Sequence, residues 1–170
     1  MPPRWPFWSG AQRPRGEAVT GEPKHVTAYT DGSCETQTGD GGWAYLLVYD
    51  RARKRASGFE AGTTNNRMEL TAAVRALKAL REPCRVTIVT DSQYLKKAFT
   101  DGWLDSWQRN GWRTAGRKPV KNQDLWRELL ELEGRHRVEW SWTRGHAGHP
   151  ENEEVDALAL AARRRRRAVP

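Results

Sequence analysis

The stretch that decides the fold is TNNRMELTAAVRALKALREPCRVTIVTD, residues 64–91. Its first part sets Leu70, Ala73, Val74, Leu77 and Leu80 on one face at helical spacing. Pro83 stops that run, so a helix is expected over Thr64–Arg81. Its last part, Arg85–Asp91, is a compact β-branched run of the type that forms a strand buried on both faces. Upstream, His25–Asp31 alternates and reads as a first strand. A loop with Gly39, Gly41 and Gly42 leads to a second at Trp43–Tyr49, a turn follows at Asp50–Arg53, and Lys54–Gly62 makes a third. Short connections among these strands predict an antiparallel meander. Downstream, Ser92 can cap a helix reaching Phe99. Asn122 can cap another over Gln123–Glu133, ending at Gly134, with Leu125, Leu129 and Leu132 along one side. Val138, Trp140 and Trp142 alternate as a last strand, and a final helix starts at about Glu151. A meander followed by helix-separated strands predicts an α/β fold: a five-stranded mixed sheet, three antiparallel strands then parallel ones, flanked by helices.

A length of 170 residues suits one domain. Residues 1–24 are rich in Pro, Gly and Arg and show no period, so they read as a disordered arm. The folded domain is expected over 25–162. Residues 163–167 are consecutive arginines, which repel one another and read as a solvated tail over 163–170. Lys plus Arg number 29 against 21 Asp plus Glu, a net charge of +8. Such an excess calls for a polyanion. No apolar stretch approaches the ~20 residues of a membrane span, which favours nucleic acid over a membrane surface. Cys34 and Cys84 form no metal or disulfide pattern, and no secretory signal is evident, so a cytoplasmic setting is expected.

Acidic residues stand at element boundaries or first turns in separate segments: Asp31 in YTDGS, Glu69 in TTNNRMEL, Asp91 in VTDSQY and Asp156 in HPENEEVDALA. Each alone reads as a turn former or a solvated helix residue. In open sheets with parallel strands, ligands bind beyond the carboxyl ends of the strands, where Asp31 and Asp91 are expected. Gathered at one point, such carboxylates repel unless cations neutralise them, and metal ions so held are common machinery for cutting phosphodiesters.

The blocks TDGSC, TTNNRMEL, TDSQY, KPVKNQDLW and GHAGHPENEEVDALA occur in this order. Together they resemble bacterial-type (type 1) ribonuclease H, from about His25 to Ala162. The resemblance implies an endonuclease that hydrolyses the RNA strand of RNA–DNA hybrids, leaving 5′-phosphate and 3′-hydroxyl ends, and that removes hybrids during replication and transcription. It implies that Asp31, Glu69, Asp91 and Asp156 hold two Mg²⁺ ions (Mn²⁺ as a substitute), and that His146 in the glycine-flanked loop carries protons or aids product release. It implies a monomer, with single-strand binding protein as a further partner.

The same resemblance gives Asn65, Asn66 and Gln93 the reading of the 2′-hydroxyl, with Cys34 and Gln37 nearby, and gives Thr64, Trp103 and Asn122 contacts to DNA sugar or phosphate. Helix capping is the competing role for Asn65 and Asn66. Trp103, Trp107 and Trp112 alternate with Arg109, Arg113, Arg117, Lys118 and Lys121. Rings that cover sugars and cations that meet phosphates suit a nucleic-acid strand, and the family carries a basic handle here, about residues 101–122. A tryptophan-rich helix packed on the core is the competing reading. Departures from the family pattern are the loop Glu35–Asp40, with Gln37 for Asn, Gly62 where arginine is frequent, and Gln108 and Asn110 where lysine or arginine is common. The arginine run at 163–167 is expected to restore sequence-independent affinity. Two other classes compete: a non-catalytic binding module, whose mark would be loss of an acid, and an integrase-like enzyme, which would lack TTNNRMEL and GHAGHPEN.

Overall fold

A computed structural model describes residues 23–144 and 149–170. The strands are β1 (His25–Cys34), β2 (Gly41–Tyr49), β3 (Ala52–Glu60), β4 (Arg85–Thr90) and β5 (Arg137–Trp142). The helices are α1 (Asn65–Lys78), α2 (Gln93–Thr100), α3 (Trp103–Asn110), α4 (Gln123–Arg135) and α5 (Pro150–Arg165). The sheet order is β3-β2-β1-β4-β5. β1–β2 and β2–β3 are antiparallel, and β1–β4 and β4–β5 are parallel. The expected mixed five-stranded sheet is the one found.

Alternation along the strands builds two apolar layers. Val26, Ala28, Tyr45, Leu47, Val86 and Ile88 face α1 and α4, where Leu70, Leu77, Trp126 and Leu129 complete the main core. Ala44 and Leu46 point the other way and meet Val155 and Ala159 of α5. Filling both faces of the central strands fixes their register, because a one-residue slip would turn each set to the wrong side.

Several expectations are corrected. β4 is buried on one face only: Val86, Ile88 and Thr90 are buried, whereas Thr87 and Val89 are half-exposed. α5 lies on β1, β2 and β3 and leaves the β4 side of that face open. The tryptophan-rich segment contains α3, set off by Gly102 and Gly111 in left-handed conformation. Asn122 does precede α4, but it adopts a left-handed conformation (φ 60°) and makes no side-chain cap; Gly134 lies inside the helix rather than ending it. α5 runs through Arg165, past the expected boundary at 162, so the arginine run begins as helix. Among the described residues no helix is long and apolar enough to cross a membrane.

The position that sets the spacing between sheet and helix is Gly32. A Cβ there would collide with the backbone nitrogen of Glu69 and the carbonyl carbon of Met68, so β1 and α1 touch main chain to main chain. Gly134 is the opposite case, a helical glycine with open space around its missing side chain. Gly32→Ala should destabilise the protein by about 1–3 kcal/mol through overpacking. Gly134→Ala should stabilise it by up to about 1 kcal/mol through helix propensity. Urea unfolding of both variants checks the pair, and a neutral Gly32→Ala would show that the close approach can relax.

Candidate active site

The close approach at Gly32 carries Asp31 and Glu69 to one point. Asp31 lies inside β1, paired across to Ala44, rather than at the strand's end as expected. The parallel ladder to β4, however, stops at Tyr29–Val89, so Asp31 stands just beyond it, beside Asp91, which follows the last residue of β4. Glu69 comes from the second turn of α1. Carboxylate oxygens of Asp31, Glu69 and Asp91 lie within 4.8 Å of one another. Asp156 arrives from α5 on the other face, in hydrogen-bonding contact with Asp31, and lines a cleft with Thr30, Asp91, Thr143, Asn152 and Val155.

Burial makes this cluster electrostatically costly. Asp31 is 8 % exposed and Glu69 6 %. Desolvation pushes the Asp31 carboxyl up to about 7, with the Asp91 charge adding to it, while hydrogen bonds from Glu69 and the Gly32 N–H act the other way. Glu69 is raised as well, first by burial and then by Asp31 and Asp91. The Gly32 N–H donates to Asp31 Oδ1 at 2.8 Å. Glu69 Oε2 is buried and has no hydrogen-bond partner. An all-oxygen donor set with excess negative charge and an unsatisfied buried oxygen fits a hard divalent cation.

Thr64 caps α1, its hydroxyl accepting from the Arg67 N–H at 3.1 Å. That corrects the capping role considered for Asn65 and Asn66, which are exposed residues of the first turn. Gln93 is exposed at the start of α2, where Ser92 caps as expected, accepting from Leu95 N–H at 3.2 Å. Gln37 is exposed in the loop, and Cys34 is half-buried with its thiol directed at the Thr63 carbonyl. Gly62 sits exposed with φ +64°, a conformation that an arginine would adopt only with strain.

In the handle, Trp103, Trp107 and Trp112 follow one another at ring separations of 6.0 and 6.2 Å, and Trp107 reaches Trp126 in the core at 5.8 Å. Trp103 and Trp107 stay half-exposed. Trp112 is corrected: it is only 8 % exposed and lies between Trp107 and the Arg127 guanidinium, so its ring packs the handle instead of facing a strand. Arg109, Arg113, Arg117, Lys118 and Lys121 are all exposed. The departures Gln108 and Asn110 have structural work. Gln108 donates to the Leu104 carbonyl, and Asn110 clips both the N–H and the carbonyl of Arg113. Asn122 is half-buried and donates to Tyr94 Oη at 3.2 Å. His146 lies outside the described residues.

Two features escaped the sequence reading. Arg67 donates to Glu60 and, with both terminal nitrogens, to Asp124, tying β3, α1 and α4 together just ahead of Glu69. Thr143 follows β5 as Asp91 follows β4; its place at a parallel strand's end is the signal that could have found it, and its hydroxyl is buried without a partner among the described residues.

A family model for RNase H matches residues 23–164. The chain belongs to the ribonuclease H family. It is 57% identical over 138 residues to a ribonuclease H of Chelativorans sp. (strain BNC1), covering 81% of this chain and 85% of that protein. It is 59% identical over 134 residues to one of Halorhodospira halophila, covering 79% and 89%. One of Thermus thermophilus is 58% identical over 136 residues, covering 80% and 82%. Among solved structures, LC9-RNase H1, described as a type 1 RNase H with the type 2 active-site motif, matches with a TM-score of 0.74. The sequence identity is 34%, over 85% of this chain and 74% of that one. The chain is thus an enzyme of the ribonuclease H family.

The buried acids carry a prediction. An unfolded aspartate releases its proton near pH 4, whereas Asp31 holds its proton to about 7 in the fold. The native state therefore binds more protons than the unfolded chain across that window, and stability should fall as pH rises from about 4 to about 7 in metal-free buffer. Asp31→Asn should flatten the profile and raise the thermal midpoint at pH 8. A variant no more stable than its parent at pH 8 would contradict an uncompensated buried charge.

Proposed function

We propose that this chain is an endonuclease that hydrolyses the RNA strand of RNA–DNA hybrids, with Asp31, Glu69, Asp91 and Asp156 holding two Mg²⁺ ions. The observation that carries the reading is the convergence of these acids from β1, α1, β4 and α5 on one cleft in a chain of this family. Bound there, the metal would supply a water activated at neutral pH and positive charge for the developing oxyanions. The chain's own part is positioning. β1 and β4 set Asp31 and Asp91 side by side, the Gly32 contact presses Glu69 against them, and the Arg67 bonds keep α1 in place. Burial leaves Asp31 and Glu69 competing for protons, so metal uptake should strengthen as pH rises through about 7.

Substrate would be held from both sides of this centre. Asn65, Asn66 and Gln93 stand exposed at helix starts next to Glu69 and Asp91, where an amide can both donate to and accept from a 2′-hydroxyl. The handle offers half-exposed Trp103 and Trp107 with Arg109, Arg113, Arg117, Lys118 and Lys121 for the DNA strand. His146 is our choice for proton transfer or product release. We assign residues 25–162 as the catalytic domain, a monomer acting in the cytoplasm during replication and transcription. For contact with single-strand binding protein, the groove lined by Trp43, Tyr45, Lys54, Arg75, Lys78 and Arg81 would accept an acidic segment.

The test is a cleavage assay on matched hybrid, RNA duplex, DNA duplex and single strands, with and without Mg²⁺. Only the hybrid should be cut, only with metal, leaving 5′-phosphates. Asp31→Asn and Asp91→Asn should each lose at least ~10²-fold, the scale of removing one charge-stabilising group. Near-parental cutting by Asp31→Asn in Mg²⁺ would overturn the assignment.

A further inference from the structure

The arginine run is pinned to the sheet. Arg166 takes the left-handed conformation that closes α5 (φ 55°), a region that a side chain with a Cβ enters only with strain. The Arg167 N–H donates back to the Ala162 carbonyl at 3.2 Å, completing the closure. The Arg166 side chain donates to Asp40 Oδ2 at 2.6 Å, and its guanidinium lies 5.1 Å from the Phe59 ring centroid. Further on, the Val169 N–H donates to Ser57 Oγ at 2.8 Å, and the Ser57 hydroxyl donates to the Val169 carbonyl at 2.9 Å. The chain beyond α5 is thus fastened to the β1–β2 loop and to β3. Arg164, Arg165 and Arg167 stay exposed, and no ion pair involves them among the described residues.

The helix dipole explains part of this, since cations in a last turn are favourable. It does not explain Arg167, which lies beyond the helix, nor a strained closure held by an ion pair and a backbone clasp. Placement does. Asp156 and Arg163 are separated by two turns of α5 and share a face, with Arg164 beside it, about 10–12 Å further along by helical rise. That interval is about three nucleotide steps at the ~3.4 Å rise of one strand. Arg163 is close enough to Cys34 to act on its thiol, which places the run's first residue beside the loop that follows β1. The ridge also lies on the opposite face of the sheet from the handle.

We propose that Arg164, Arg165 and Arg167 form a second phosphate-binding surface, clasped in place by Arg166 and Val169, that holds the hybrid's backbone a few nucleotides from the acidic centre. This rests on the hybrid substrate proposed above. It also gives the chain a source of the cationic contact missing at Gly62.

The test compares the full chain with R164A/R165A/R167A and with the corresponding triple lysine variant. Binding to a labelled hybrid is measured by fluorescence anisotropy in EDTA over a range of salt. The alanine triple should bind at least about fivefold more weakly at low salt. Its log–log salt slope should be shallower by about 1–3, near 0.9 for each phosphate that is no longer neutralised. The lysine triple should restore most of the slope, because phosphate binding needs the charge. An alanine triple with the parental slope would overturn the ridge, as would a lysine triple that behaves like the alanine one. Cleavage by the parent is run alongside. A parent that cuts hybrid while the alanine triple keeps its slope sinks the ridge alone, and a parent that cuts nothing sinks the proposed function.

Discussion

The main-chain contact between β1 and α1 at Gly32 is the constraint on which the site depends. Without it a side chain would stand between sheet and helix, and Glu69 would lie a Cβ's breadth from Asp31. With it, the carboxylates of Asp31, Glu69 and Asp91 come within 4.8 Å of one another in a buried setting. Sheet topology supplies the rest. The parallel ladder between β1 and β4 ends at Tyr29–Val89, so the acids that follow emerge at one edge, and α5 crosses the other face to add Asp156.

Such a centre works against the stability of the fold that holds it. Buried like charges raise the proton affinity of Asp31 and Glu69, and Glu69 keeps an unsatisfied oxygen. The surrounding structure offsets this with dense packing and with fixed geometry. Met68, Leu70 and Leu77 are fully buried on either side of Glu69 along α1, and Arg67 grips Glu60 and Asp124 just ahead of it. A site that costs stability when empty of cations and is held by rigid elements suits a role that needs metal and a preformed pocket.

Much of this was legible in the residues. Helical spacing of Leu70, Val74 and Leu77 and the alternation in β1 and β2 are periodic signals, and both survive tertiary packing. The blocks around Asp31, Glu69, Asp91 and Asp156 marked the acids. What the sequence did not yield depends on three-dimensional neighbours. Two-sided burial of β4 failed because α5 covers only half of the second face. Trp112 reads like its neighbours in the handle, yet Arg127 from α4 closes over it. Asn122 has a capping residue's identity but spends its amide on Tyr94. The arginine run reads as self-repelling, and only its contacts with Asp40, Phe59 and Ser57, more than a hundred residues away in the chain, hold it down.

The most direct measurement is an anomalous-scattering map from a crystal of the chain soaked in Mn²⁺. The account predicts strong peaks coordinated by oxygens of Asp31, Glu69 and Asp91, with Asp156 alongside, that vanish in Asp31→Asn. Manganese bound only elsewhere, or peaks unchanged by that substitution, would contradict it.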